Sequence, residues 1–367
     1  AQLQARLPLA GQLYAVAVGR FAFLTPEPTV LSLENIAQNL QGTQARIGPE
    51  VPLDLDIHMG DSGLCDSTLT PNEILRRAVS ALHEAISQGH RFTTYNDALD
   101  TRKKRDFSLL TELRQTLQGN QGLYLVYQPK ISLATGRVTG AEALVRWKHP
   151  TNGEILPGEF IPLVEKTSLM RELTAWVIDR TIAQLSEWRD QGLTLPVSIN
   201  LAASDFSRPD FAEELEQKLR NASLEPALLG LECLETEKML ESPAALNGLN
   251  MLKKRGFKIS LDDFGSGYSN INYLRQMPLD IIKLDRSIVS HIVDEKASRI
   301  IVRNVIKLLK QLDYIVLAEG VEDRKTVEIL RSLGCDEVQG YFYARPMVSA
   351  DFAAWSRARN AAPGITP

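Results

Sequence analysis

Cysteine is scarce in this 367-residue chain: Cys65, Cys233 and Cys335 stand far apart, with no Cys-x-x-Cys spacing. That argues against a disulfide framework or a zinc site and fits a reducing compartment. Long apolar runs are missing as well. None approaches the length of a membrane span, and no charged-then-apolar signal segment opens the sequence. Excess charge of either sign is absent too, since 41 Lys and Arg against 45 Asp and Glu leave −4. Nothing global therefore draws the chain to a nucleic-acid polymer or an anionic membrane. Histidine is rare: His149 falls in a Trp-Lys-His-Pro turn and the other four lie in helices or the first half, so all five read as structural or exposed. The chain opens on Ala1 and is expected to be part of a longer protein. It is expected in the cytoplasm, free or as the cytoplasmic part of a membrane-anchored protein that touches the membrane only through a region absent here.

What is present is a rhythm. From residue 123 onward, short β-branched runs alternate with helical stretches, the pattern of repeated βα units. The runs are LYLVYQ (123–128), VTGAEALVRW (138–147), PVSIN (196–200), LGLEC (229–233), KISLDD (258–263), DIIKLD (280–285), YIVLAE (314–319) and DEVQG (336–340). Between most of them lie amphipathic helices such as 171–192, with Leu173, Trp176, Val177, Ile182, Leu185 and Trp188 largely on one face. Others are expected over 210–220, 237–256, 294–311 and 323–333. The first two runs are joined only by the turn Leu-Ala-Thr-Gly (133–136), which predicts an antiparallel hairpin. Eight strands with the first reversed describe an α/β fold, a modified TIM (β/α)₈ barrel; an open doubly wound sheet fits the pattern nearly as well.

Upstream, residues 1–98 form a different, partial α/β unit. A hairpin is expected over 14–26 with its turn at Gly19-Arg20, a strand over 53–62, and a helix over 70–89 with Thr70 as N-cap and Gly89 as C-cap. A linker helix (99–120), with Phe107, Leu110, Leu113 and Leu117 at helical spacing, leads to a barrel over 121–355 and a tail over 356–367.

The functional argument rests on where polar residues fall. In a barrel of this kind, chemistry sits at the carboxyl ends of the strands. There a polar residue closes run after run: Asn200 after VSI, Glu232 after LGL, Asp262 and Asp263 after ISL, Lys283 after DII, Glu319 after VLA and Gln339 after DEV. On the second strand Glu142 and Arg146 share one face. Convergence would gather Glu142, Asn200, Glu232, Asp262 and Asp263 in one cavity with Glu319 nearby. The Asp262-Asp263 pair has no basic neighbour in its stretch LDDFGSGYSN, so clustered anions with little local cationic balance imply metal. All the donors are oxygens, which favours Mg²⁺ or Mn²⁺ over zinc. A carboxylate such as Asp262 can bridge two ions, an arrangement suited to phosphoester cleavage.

GAEALVRWKHP, YQPK, VSINLA, LECLE, LDDFGSGYSN, DIIKLDRS, LAEGVE and VQGYFYARPM, in that order, resemble the EAL family of cyclic di-GMP phosphodiesterases over about residues 121–352. The resemblance implies a barrel enzyme that linearises cyclic di-GMP to pGpG with Mg²⁺ or Mn²⁺. It implies that Glu142, Asn200, Glu232 and Asp262 hold one metal, and that Asp262, Asp263 and Glu319 hold or support the second and its water. It further implies that Lys283 holds the attacking water, that Glu319 serves the metal shell or as a base, and that Gln339 bonds around the same water. Arg146 suits a phosphate oxygen, because guanidinium offers a fork of donors, with a salt bridge to a neighbouring strand as the plainer alternative. Gln128, Arg286, Glu322 and Tyr341 resemble substrate contacts, though Tyr341 suits core packing equally. Glu235 matches the second acid of a loop that organises the lid and the dimer, implying a homodimer through the barrel.

Departures from the family pattern are Leu234 where Thr is usual, Ser266 for Thr and Ala202 for Ser. The first unit resembles the later portion of a GGDEF diguanylate cyclase domain, but its signature turn reads Ala17-Val18-Gly19-Arg20-Phe21, and Pro8 and Gly11 stand at the inhibitory site. Without paired glycines and acids it is expected to be a non-catalytic remnant. Two other functions remain open on the sequence: a cyclic di-GMP receptor that signals through the linker helix, and an unrelated two-metal nuclease, for which no basic track is present.

Overall fold

The computed structural model describes residues 13–24, 30–40, 44–47, 51–62, 69–119, 121–165, 167–234, 242–266 and 274–362, which divide into two units between Ser108 and Leu109. In the first unit, β1 (Leu13–Ala17) and β2 (Arg20–Phe23) form an antiparallel hairpin. Its turn is Val18-Gly19 rather than Gly19-Arg20: Gly19 takes φ +71° and Arg20 already pairs with Ala17. Helix α1 (Val30–Asn39) presents Leu33 and Ile36, with Leu40 just beyond, to Leu13, Phe23, Ile57, Met59 and Phe92. The strand expected over 53–62 is two strands. β4 (Val51–Asp54) pairs antiparallel with β3 (Gln44–Ile47), while β5 (Met59–Asp61) pairs in parallel with β6 (Phe92–Thr94). Helix α2 (Pro71–Ser87) starts where Thr70 accepts a hydrogen bond from the Glu73 amide at 3.3 Å, and ends before Gly89 at φ +67°. It lies so close on β5 that a Cβ on Gly60 would come within 2.1 Å of the Leu82 amide nitrogen.

Helix α3 (Asp97–Gly119) spans the division between the units. In its second half Leu109 and Leu113 are buried with Trp147, Leu123 and Phe160, whereas Phe107 is largely exposed and does not extend the expected stripe.

The second unit holds a closed ring of eight strands: β7 (Leu123–Ser132), β8 (Val138–His149), β10 (Val197–Leu201), β11 (Leu229–Leu234), β12 (Lys258–Phe264), β13 (Ile281–Leu284), β14 (Ile315–Ala318) and β15 (Glu337–Val338). The short β9 (Gly153–Ile155) extends the sheet beside β8. β7 is antiparallel to both neighbours, β8 and β15, and the β8–β10 pairing closes the barrel in place of an open sheet. The hairpin turn is allowed by Gly136 at φ +69°. Around the ring run α4 (Pro157–Val164), α5 (Leu169–Asp190), α6 (Ala203–Phe206), α7 (Phe211–Asn221), α8 (Pro243–Lys254), α9 (Arg286–Val289), α10 (Lys296–Gln311), α11 (Arg324–Ser332) and α12 (Ser349–Ala361).

Each long helix turns one stripe inward. On α10, which has no acidic residue, Val302, Ile306 and Leu309 are fully buried at helical spacing, each contributing about 1.5–3 kcal/mol. α12 runs on past residue 355, with Ser356 buried and donating to the Phe352 carbonyl at 2.8 Å. His149 ends β8 buried, its Nε2 against Glu112 of α3 while Nδ1 accepts from the Thr151 and Asn152 amides. No helix among the described residues is long and apolar enough to cross a membrane.

Candidate active site

Closure of the barrel brings together the ends that sequence spacing left hundreds of residues apart. Residues two apart on a strand share a face, so the inward face of each parallel strand ends on one polar side chain. Asn200 and Glu232 lie side by side in register on β10 and β11, and Gln128 of the reversed strand lies opposite Glu142. β12 breaks the alternation. Asp263 adopts φ +56°, and the register with β13 slips between Leu261 and Phe264. An irregularity of this type re-aims side chains, and left-handed backbone at a non-glycine residue marks strain held by its surroundings. Two consecutive aspartates thereby face one rim, with Asp262 Oδ1 accepting the Asp263 amide at 3.0 Å.

One carboxylate oxygen from each of Glu142, Glu232 and Asp262 lies within 4.8 Å of the others, and so does one from each of Asp262, Asp263 and Glu319. Asp262 belongs to both sets. Asn200 Nδ2 donates to Glu142 Oε1 at 2.7 Å. Gln339 Nε2 donates to Glu142 Oε2 at 2.7 Å and to Gln128 Oε1 at 3.0 Å, and Gln128 Nε2 reaches the Ala344 carbonyl at 3.4 Å.

The cluster is not short of cations, as the stretch around Asp262 alone suggested. Lys283 is fully buried, with Nζ at 2.5 Å from Glu232, 2.8 Å from Glu319, 3.0 Å from Asp262 and 3.5 Å from Glu142. Lys130, from β7, lies 2.7 Å from the other oxygen of Glu232. The compensating charge comes from other strands.

Electrostatics follow from this sharing. Burial opposes ionisation of Glu232, but Lys130 and Lys283, one on each oxygen, hold its carboxyl well below the usual range. Burial likewise works against charge on Lys283, yet Glu142, Glu232, Glu319 and Asp262 raise it far above an ordinary lysine. One ammonium cannot neutralise all four acids. Burial pushes Asp262 up to about 8; Lys283 pulls it down, and repulsion from Glu232, Glu319 and Glu142 opposes that pull. Burial pushes Glu319 up to about 7, with Glu142 and Glu232 opposing Lys283 in the same way. Asp263 is raised by burial and by Asp285. Five carboxyl groups facing two ammonium groups leave a surplus of negative charge. The donor set is all oxygen, and Gln339 Oε1 is a further buried oxygen with no partner among the described residues. Such a set fits hard divalent cations.

Beside the acids opens a cleft of about 230 Å³, lined by Gln128, Glu142, Arg286, Glu319, Glu322, Gln339 and Tyr341 among others. Arg286 and Glu322 form an ion pair at 3.1 Å. Tyr341 is half exposed, with the Arg345 guanidinium 4.2 Å above its ring, so it is a wall of the cleft rather than part of the core. Arg146 is half-buried, forms no ion pair among the described residues, and donates to the Val145 carbonyl at 2.8 Å. It does not line this cleft. Glu235 lies outside the described residues.

Residues 110–346 match the EAL domain. The chain belongs to that family. It is 38% identical over 350 residues to the cyclic di-GMP phosphodiesterase PA2567 of Pseudomonas aeruginosa, covering 94% of this chain and 59% of that protein. It is 33% identical over 324 residues to MucR of the same organism, a bifunctional diguanylate cyclase/cyclic di-GMP phosphodiesterase, covering 88% and 46%. The chain thus spans about half the length of these curated relatives. Among solved structures, the PaMucR phosphodiesterase in complex with c-di-GMP superposes with a TM-score of 0.63 at 38% identity, over 67% of this chain and 99% of that one.

Within this EAL domain the sequence reading missed two buried residues, Lys130 and Ser198. Lys130 Nζ joins Glu232 to Ser198 Oγ, with 2.7 Å to each. The available signal was alternation: Lys130 follows Gln128 by two on the first strand and must share its inward face.

Proposed function

We propose that the chain hydrolyses cyclic di-GMP to linear pGpG, with Mg²⁺ or Mn²⁺ held by Glu142, Asn200, Glu232 and Asp262 and by Asp262, Asp263 and Glu319. The observation that carries this reading is the pair of carboxylate sets sharing Asp262 at the edge of an open cleft, in a chain whose relatives are named cyclic di-GMP phosphodiesterases. Bound divalent ions would supply an acidified water and a clamp for the charge that develops on phosphate. The remaining steps fall to the chain's own groups. Lys283 Nζ, surrounded by acids, places fixed positive charge where a deprotonated water gains stability. Glu319, whose carboxylate lies 2.8 Å from Lys283 Nζ beside the acids that would hold the ions, accepts the proton of that water. The water oxygen bonds to phosphorus, the bond to the 3′ oxygen breaks, and that oxygen leaves as a hydroxyl with the proton that Glu319 accepted from the water. Arg286 donates to phosphate, Gln128 and Glu322 border the nucleotide, and Tyr341 offers a ring face to a base. Arg146 serves a phosphate reached from the end of β8.

The same reading takes residues 1–98 as a non-catalytic GGDEF-like remnant, 99–120 as the linker helix and Glu235 as part of the lid loop. It takes the working unit as a cytoplasmic homodimer paired through the barrel, which the mass of the purified chain in solution checks. Purified chain with Mn²⁺ and cyclic di-GMP is expected to yield pGpG, with Glu142→Ala abolishing turnover. Tight binding of cyclic di-GMP without pGpG would leave a receptor in place of an enzyme.

A further inference from the structure

Beneath the acids a recess opens at the amino-terminal ends of the barrel strands. A barrel interior of this type is ordinarily filled by bulky branched side chains. Here the residues two positions before Glu142, Asn200, Glu232 and Asp262 are Gly140, Ser198, Gly230 and Ser260, and together with Lys130 and the larger Ile281 and Glu337 they border a recess of about 230 Å³. Gly230 keeps this layer open at close range, since a Cβ there would lie 3.0 Å from the Ser198 Cβ. Lys130 enters the layer from the reversed strand, opposite Gly140, just as Gln128 lies opposite Glu142 one layer above. From there its buried ammonium reaches up to Glu232 Oε1 and across to Ser198 Oγ.

We infer that Lys130 is a positioning residue for Glu232: it anchors one carboxylate oxygen from below, so that the carboxylate plane is fixed toward the cation site above. The inference rests on the metal-dependent reading of the acidic cluster. The last torsion of a glutamate is broad and roughly two-fold, so a carboxylate held on one side only can turn away from its ligand. Lys130 and Lys283 hold opposite oxygens of Glu232 from two different strands, which removes that freedom. Small residues at 140, 198, 230 and 260 then have a common purpose, to leave room for a lysine side chain in the barrel floor. Partners of this kind behind a metal ligand commonly change metal affinity about 10–100-fold when removed.

The test is Mn²⁺ titration calorimetry on the full chain and on Lys130→Met and Lys130→Arg, with circular dichroism melts in EDTA to verify folding. Lys130→Met is expected to bind Mn²⁺ about 10–100-fold more weakly, with Lys130→Arg closer to the unmodified chain. The Mn²⁺ concentration for half-maximal turnover should rise by the same factor, while KM for cyclic di-GMP at saturating Mn²⁺ stays unchanged. Unaltered or tighter Mn²⁺ binding by Lys130→Met overturns the inference. Should that variant not fold, Lys130→Gln, which keeps a polar side chain but removes the ammonium from Glu232, decides it: weaker Mn²⁺ binding supports the role and equal binding overturns it. An unmodified chain that binds Mn²⁺ but makes no pGpG sinks the phosphodiesterase reading alone, and the calorimetry still judges Lys130. A chain that binds no Mn²⁺ removes both.

Discussion

In the first unit Arg76 donates to Glu73 and Asp100; in the barrel Lys283 is ringed by Glu142, Glu232, Asp262 and Glu319. Both set a cation among several acids. In the barrel Glu232, which also has Lys130, is held low, but Asp262 and Glu319 shift opposite to Glu73 and Asp100. The hydrogen bond from Arg76 lowers Glu73 to about 2 and holds Asp100 below the usual range. Burial instead raises Asp262 to about 8 and Glu319 to about 7. Solvent and balance make the difference. Arg76 is partly exposed, and Asp100 has Lys104 as a second cation at 3.1 Å. Lys283 has no access to water, and its acids outnumber it. A balanced, solvated cluster is ordinary surface structure. An overloaded, buried one stores repulsion that a divalent ion relieves, and that is the mark of a site.

The sharpest way to break this contrast is Glu232→Gln. The change keeps shape but removes the acid between Lys130 and Lys283, leaving two buried ammonium groups without that charged partner. Removing one partner of a buried ion pair costs about 3–5 kcal/mol, and turnover should vanish as well. Urea unfolding in EDTA measures the first effect. A loss below about 1 kcal/mol, the scale of exposed ion pairs, would mean that the buried network carries no more weight than the exposed one.

The next effect is a pH dependence of the metal-free chain. Asp262 and Glu319 bind protons more tightly folded than unfolded, so the folded state carries extra protons wherever the unfolded carboxyls have lost theirs. Their contribution therefore weakens stability as pH climbs from about 4 through about 8, with a slope of at most about 1.4 kcal/mol per pH unit for each group. Saturating Mn²⁺ should flatten that slope, because a cation favours the ionised forms. Denaturant midpoints across that range, with EDTA and with Mn²⁺, compare the two; identical slopes would show that these acids do not face the ion.

Much of the barrel was legible because its signals are periodic. β-branched runs and helical stripes located all eight strands, and the bare turn before Gly136 foretold the reversed one. The polar strand ends named the carboxylates that meet. Closure was not legible, since an open sheet has the same periods. Charge balance was not legible either: sequence distance hides that Lys283 and Lys130 share Glu232 from strands more than a hundred residues apart. The twin aspartates escaped strand alternation because Asp263 leaves the extended region, a backbone event that its identity permits but does not dictate. In the first unit the error at 53–62 came from reading one alternating stretch as one strand, whereas its two ends pair with different partners.

The smallest expected effect lies at the other pole of the comparison. Arg76→Ala removes the guanidinium between Glu73 and Asp100. Asp100, although largely buried, keeps Lys104 at 3.1 Å and accepts from Ser80 at 3.2 Å. Glu73 keeps Arg77 at 3.3 Å. No charge is stranded, so the loss should stay within about 1 kcal/mol, as for other solvated pairs, with pGpG formation unchanged. A drop several-fold larger in the urea midpoint would show that this network, too, works as a buried one, and burial would no longer separate the two clusters.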